Sequence, residues 1–246
     1  MIISHENKYV FVEIPHTGTT AIGEELCTNY GGQSILWRHS YYSDFLKQAG
    51  PEEKNYFVFC SIRNPLDLTV SEYFRMFTDH KGIFTDPEKL KLRANREQRR
   101  KQKFYQQLKS QEMDFQTYFL KYYKRPYNSW ASLMHGKYDF VIRFENLQED
   151  FARLLQRLGL EPKRPLPVRN STQGRNKDFW SYYSPEMIPR AKRVFGPFMK
   201  QWGYEFPAEW GQANVTWLNK LEFELLTLFK KAKWTYFRSL FYYPQR

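Results

Sequence analysis

The residues best suited to chemistry lie in two short segments about forty positions apart. In the first, Tyr9-Val10-Phe11-Val12-Glu13-Ile14 runs into Pro15-His16-Thr17-Gly18-Thr19-Thr20. A β-branched and aromatic run that stops at proline reads as a buried strand, and the turn after it opens a helix. A helix N-terminus presents amide groups without intrahelical partners and a partial positive charge, so a sharp strand-to-helix turn suits phosphate or sulfate. Gly18 lets the backbone approach such an anion, and three threonines add hydroxyls. In the second segment, the run Tyr56 to Ile62 ends in Arg63, and Ser71 follows eight residues later on a helix that Pro65 opens. A guanidinium at a strand end can make charge-assisted contacts to phosphate, and the Ser71 hydroxyl can converge on the same group. Taken singly, the first segment is also what an ordinary strand-to-helix turn looks like, and an arginine after a strand is most often an ion-pair partner. In this order, on adjacent parallel strands, the two describe a site for a nucleotide phosphorylated at both ends of its ribose.

The elements that must position these residues follow from the pattern around them. The first strand spans residues 8–14, and a helix over 19–29 is stopped by Gly31-Gly32. A short second strand covers 33–37, and Ser43 is placed as the cap of a helix ending near Ala49, where Gly50-Pro51 blocks continuation. Strands follow at 55–62 and 138–144, with helices over 86–123 between them. The helix at 147–158 carries Phe151, Leu154, Leu155 and Leu158 on one face. A Pro/Asn/Gly-rich loop at 162–178 precedes helices at 185–202 and 215–240. Strands alternating with helices imply an α/β protein, a three-layer sandwich around a central parallel sheet.

At 246 residues the chain is one domain, or one with an extension, divided here as 1–212 and a basic, aromatic helical stretch at 213–246. No run approaches the ~18 apolar residues of a membrane span, and no signal peptide is visible, which predicts a cytoplasmic protein. The net charge of +12 calls for an anionic partner: a nucleotide, a glycan, a membrane surface or a nucleic acid. Cys27 and Cys60 read as two buried thiols, and no spacing of Cys and His suggests a metal. The G-x-x-x-x-G-K-[ST] loop of nucleotide hydrolases is absent, which disfavours a nucleoside-triphosphate kinase.

The paired segments resemble the sulfotransferases that use 3′-phosphoadenosine 5′-phosphosulfate (PAPS). Ile14 to Thr20 looks like that family's 5′-phosphosulfate loop, and Ser61-Ile62-Arg63-Asn64-Pro65 through Ser71-Glu72-Tyr73 looks like its 3′-phosphate motif. Val141-Ile142-Arg143-Phe144-Glu145-Asn146-Leu147, with Asp150-Phe151 and Leu158-Gly159-Leu160, resembles the later strand–helix unit of the carbohydrate-type members. Asn170-Ser171, Tyr182 to Glu186 and Trp202-Gly203-Tyr204 also fit those members, so the likeness runs over residues 8–206 in order. The resemblance implies a fold related to P-loop kinases. It also implies PAPS as donor, the 3′,5′-bisphosphate (PAP) as product, and no metal. Pro15, His16, Thr17, Gly18, Thr19 and Thr20 would hold the 5′-phosphosulfate, and Arg63 and Ser71 the 3′-phosphate. Arg175 and Lys177, in the loop after Asn170-Ser171-Thr172, would close over that phosphate, or form a solvated basic loop.

One departure stands out. The family usually has Lys where this chain has His16, and that Lys stabilises charge on the leaving oxygen. A protonated His16 can donate to the same oxygen, although an imidazole titrates near ~6.5 and its charge is conditional. The alternatives are another base in that role, such as Arg38, and a weakened or inactive enzyme. The acceptor needs a general base, and His39 lies in the interval where similar carbohydrate sulfotransferases often carry a catalytic His. His5, His80 and His135 read as surface or structural. Trp37, Phe179 and Trp180 are candidates to stack on adenine or to pack in the core. The basic stretch 89–103 is either a solvated face or a rim for an anionic glycan.

The last thirty residues carry Trp217, Leu218, Leu221, Phe223, Leu225, Leu226, Leu228 and Phe229, then Trp234, Phe237, Leu240 and Phe241, interleaved with Lys220, Lys230, Lys231, Lys233 and Arg238. Such a helix packs on its own core, joins a second copy in a homodimer, or lies in a membrane interface at the inner surface. The sequence thus points to a sulfotransferase with a carbohydrate or glycolipid-like acceptor and no nucleic-acid partner. Its competitors are a kinase-like phosphate-binding transferase and a non-catalytic module that binds anionic glycans on a degenerate sulfotransferase fold.

Overall fold

The computed structural model describes residues 1–92, 96–167, 174–176, 178–213 and 215–241. In chain order, β1 (Ile2–Ser4), β2 (Tyr9–Val12), α1 (Thr19–Asn29), β3 (Gln33–Ser34), α2 (Tyr42–Leu46) and β4 (Phe57–Ile62) come first. Next are α3 (Pro65–Phe77), α4 (Pro87–Leu92), α5 (Arg96–Ser110), α6 (Phe115–Tyr122) and α7 (Trp130–Met134). The chain continues with β5 (Phe140–Arg143), α8 (Leu147–Arg157), α9 (Ile188–Trp202) and α10 (Trp217–Phe241). The result is a mixed α/β protein with a central, mostly parallel sheet. It divides into two compact units. The first holds Met1–Asn64 with the later stretches beginning at Asn128 and Lys220. The second holds Pro65–Tyr127 and the stretch ending at Asn219.

The first unit contains the sheet, in the order β3-β1-β2-β4-β5. β2 pairs parallel with β4, and β4 with β5, as the strand–helix alternation predicts. The expectation of an all-parallel sheet is corrected at one edge. β1 forms an antiparallel hairpin with β2 and also pairs antiparallel with β3. The second predicted strand is only Gln33–Ser34, not 33–37, and it pairs with β1. Side-chain alternation puts Tyr9, Phe11, Phe59 and Ile142 on one face, where Ile22 and Leu26 of α1 and Phe151, Leu154 and Leu155 of α8 cover them. Phe11 and Phe59 stack with ring centres 5.0 Å apart. Each such burial contributes about 1.5–3 kcal/mol, so these rings help anchor the strands that carry the site.

Local chemistry sets the boundaries. After α1 the chain turns back through Gly31, at φ 65°, and the Gly32 amide donates to the Leu26 carbonyl at 3.0 Å. The helix placed on a Ser43 cap begins earlier. Tyr41 is its cap, because the Asp44 carboxylate accepts from the Tyr41 amide at 3.2 Å, and Ser43 lies inside the helix. Cys60 is buried as expected, but Cys27 is exposed on the outer side of α1.

In the second unit, Leu66, Val70 and Tyr73 of α3 pack with Leu108, Phe115, Phe119, Val194 and Phe195. Phe179 and Trp180 pack against this cluster, which favours the core reading for both rings.

Candidate active site

β2 and β4 run parallel with Val12 opposite Cys60, so the turn after β2 and Arg63 after β4 leave the same edge of the sheet. In open α/β sheets, ligands bind outside this carboxyl edge. The turn is tightly built. His16 and Gly18 both have left-handed backbone, at φ 65° and 84°. A Cβ added to Gly18 would also meet Leu147 and Phe144 at 3.3 Å. Gly18→Ala is therefore expected to lower stability by about 1–2 kcal/mol, measured by chemical denaturation, and to weaken binding of a bisphosphate nucleotide. Unchanged values for both would show that the turn tolerates a side chain.

The first bond within α1 runs from the Ile22 amide to the Gly18 carbonyl at 3.2 Å, so the amides ahead of it have no partner inside the helix. The helix has no side-chain N-cap and no acidic residue in its first turn, which leaves its positive end uncompensated from within. The threonines divide their work. Thr17 Oγ1 donates to the Ile14 carbonyl at 2.8 Å, and Ser61 Oγ then donates to Thr17 at 2.7 Å, stitching the turn to β4. The Thr17 hydroxyl hydrogen is thereby spent on the scaffold. Thr19 and Thr20 hydroxyls instead accept from the Arg38 guanidinium at 3.3 and 2.8 Å.

Arg38 is half-exposed, and its Nε donates to the buried carboxylate of Glu13 at 3.2 Å. The Glu13 carboxylate also accepts from the Met1 ammonium at 2.6 Å. The Glu13 backbone carbonyl accepts from His39 Nδ1 at 2.7 Å. A carbonyl can only accept, so Nδ1 carries the hydrogen and Nε2 presents the lone pair. Burial lowers the His39 pKa below the ordinary imidazole value, so the neutral form prevails. Left-handed backbone at Leu36 (φ 58°) and His39 (φ 66°) brackets Trp37 and Arg38 and turns this loop sharply. Trp37 is 62% exposed.

Arg63 is buried, with its guanidinium 4.2 Å over the Phe144 ring and Nη1 donating to the His16 carbonyl at 3.5 Å. Glu145 accepts from the Asn64 amide at 2.6 Å and fixes the exit of β4. His16 itself is exposed. The first unit thus gathers the turn, Arg38, His39 and Arg63. In the second unit, Arg175 forms an ion pair with Asp67 of α3. Asp67 and Ser71 are four residues apart and share a face of that helix, so Arg175 approaches the face that bears the buried Ser71. Lys177 and the motif Asn170-Ser171 lie outside the described residues.

Glu13 is the residue that sequence reasoning missed. Its signal was present, since a carboxylate inside an apolar strand run must find cations or hydrogen bonds when buried.

No curated protein and no solved structure matches the chain. A family model described as Sulfotransferase family matches residues 1–195, a stretch that spans both strand-end segments, His39 and the β5–α8 unit. By that match over most of its length, the chain belongs to the sulfotransferase family.

Proposed function

We propose that this protein transfers the sulfuryl group of PAPS to a hydroxyl, or an amine, of a carbohydrate or glycolipid-like acceptor. Members of the family move sulfuryl groups, generally from PAPS with release of PAP. One observation carries the reading: Glu13 ties the base to the anion-binding turn. Its carbonyl orients His39, and its carboxylate holds Arg38 against Thr19 and Thr20.

On this reading, the amides of Thr17 to Thr20 receive the 5′-phosphosulfate, in a turn shaped by Pro15. Arg63 and Ser71 hold the 3′-phosphate, with Arg175 and Lys177 from the later loop. The bound donor supplies the electrophilic sulfur. His39 Nε2 takes the proton of the acceptor hydroxyl as the acceptor oxygen bonds to sulfur. The bond from sulfur to the 5′-phosphate oxygen breaks in line, and its electron pair stays on the bisphosphate. Arg38 supplies standing positive charge at that end, and His16 adds an imidazole from the same turn. Trp37, exposed two positions before His39, offers a flat apolar face of the kind a sugar ring lies on.

A thermal-shift series tests the donor. At a hundred times its dissociation constant, PAP is expected to stabilise the protein by about 2.7 kcal/mol, while ATP and oligonucleotides do little. A labelled-donor assay on a panel of glycans and glycolipids then tests the acceptor. Stabilisation by ATP alone would favour the kinase-like reading. A PAP shift with no transfer to any glycan or lipid would count for the non-catalytic module.

A further inference from the structure

α10 carries two apolar faces, and only one of them is used within the chain. Phe223, Leu226 and Thr227 are half-buried, and Thr227 Oγ1 accepts from the Asn128 side-chain amide at 2.7 Å. That side docks the helix on its own unit. Trp217, Leu218, Leu221, Leu225, Leu228 and Phe229 are exposed, Trp217 by 71% and Phe229 by 67%. At 3.6 residues per turn these six fall within one arc of about 120°, opposite the docked side. An isolated exposed leucine needs no explanation, but six large apolar side chains on one face mark an interaction surface.

We infer that this face lies in the interface of an anionic lipid bilayer, with the helix parallel to the membrane plane. Three observations favour lipid over a second copy of the chain. The stripe is wide, whereas a helix–helix seam is narrow. Lys220 and Lys231 flank one edge of it and Lys233 the other, outnumbering Glu222 and Glu224, as suits lysines that reach toward lipid phosphates while their stems stay in the apolar layer. Finally, each copy has a net charge of +12, which opposes self-association and favours a negative surface. Among the described residues, no helix is long and apolar enough to cross a membrane. The helix therefore lies on the bilayer instead of spanning it.

Vesicle flotation of the full chain tests this, using phosphatidylcholine alone and phosphatidylcholine with phosphatidylserine. Wild type is expected to float with the anionic vesicles, much less with the neutral ones, and to be released by high salt. The double variant Leu225→Glu/Leu228→Glu is expected to cut the bound fraction at least about tenfold. Because both residues are exposed, its circular dichroism and its thermal shift with PAP are expected to match wild type. That control also separates the inference from the catalytic reading, since either can fail alone. Equal flotation of the double variant, equal binding to neutral vesicles, or no flotation together with a concentration-dependent dimer in sedimentation would each overturn the assignment.

Discussion

His39→Gln is expected to bind PAP like wild type and to lose about two to four orders of magnitude in turnover. Glutamine places its amide near the Nε2 position, so His39→Asn, whose side-chain NH2 falls where Nδ1 does, is the companion variant that keeps a donor to the Glu13 carbonyl and removes only the lone pair. The pH profile gives the sharper reading. Burial lowers the His39 pKa, so the base is already neutral where an ordinary imidazole is half protonated. Protonation abolishes the base. Turnover by wild type therefore rises with pH along a limb that lies below ~6.5 and is flat above it. That limb is expected to vanish in His39→Gln. A variant that keeps full turnover, or keeps the limb, would show that another group accepts the proton and that the 2.7 Å bond to Glu13 is structural only.

Much of this site was legible in the sequence because its parts are local. Ile14 to Thr20 announces a strand, a proline stop and a helix start within seven residues, and α1 lies where the pattern places it, at Thr19–Asn29. Arg63 lies one residue past a largely buried, mostly apolar strand and emerges at the same sheet edge as the turn. What was hidden depends on contacts distant in sequence. β1 has three residues and β3 two, both of them exposed, so neither offers enough alternation to show a strand. Their pairing is set by the hairpin that brings Met1 to Glu13. The link from Glu13 to Arg38 and His39 spans more than twenty residues and depends on left-handed backbone at Leu36 and His39, which neither residue type announces. Arg175 was legible as a basic loop residue, but its pairing with Asp67, more than a hundred positions away, was not.

Arg38→Ala is expected to lower turnover by about two to three orders of magnitude, the usual loss when a donor to a developing oxyanion is removed. His16→Ala is expected to lose about tenfold or less, an imidazole contributing less than a fixed guanidinium to the same charge. The geometry separates the two residues. Arg38 touches the Thr19 and Thr20 hydroxyls at the mouth of α1, whereas His16 is exposed and its backbone carbonyl accepts from Arg63. A loss in Arg38→Ala is not expected to reflect unfolding. Its partner Glu13 keeps the Met1 ammonium, and an ion pair with one half-exposed member contributes about 1 kcal/mol or less. Arg38→Lys keeps the charge but cannot serve Glu13 and both threonines with one planar fork, so an intermediate loss is expected. The pH profile decides between the residues without mutation. If catalysis required a proton on His16, turnover would fall as pH rises through the imidazole range near ~6.5. A guanidinium stays charged throughout, so with Arg38 in the role the profile rises along the His39 limb and then stays level. A descending limb near neutrality, removed by His16→Lys, would move the catalytic charge from Arg38 to His16.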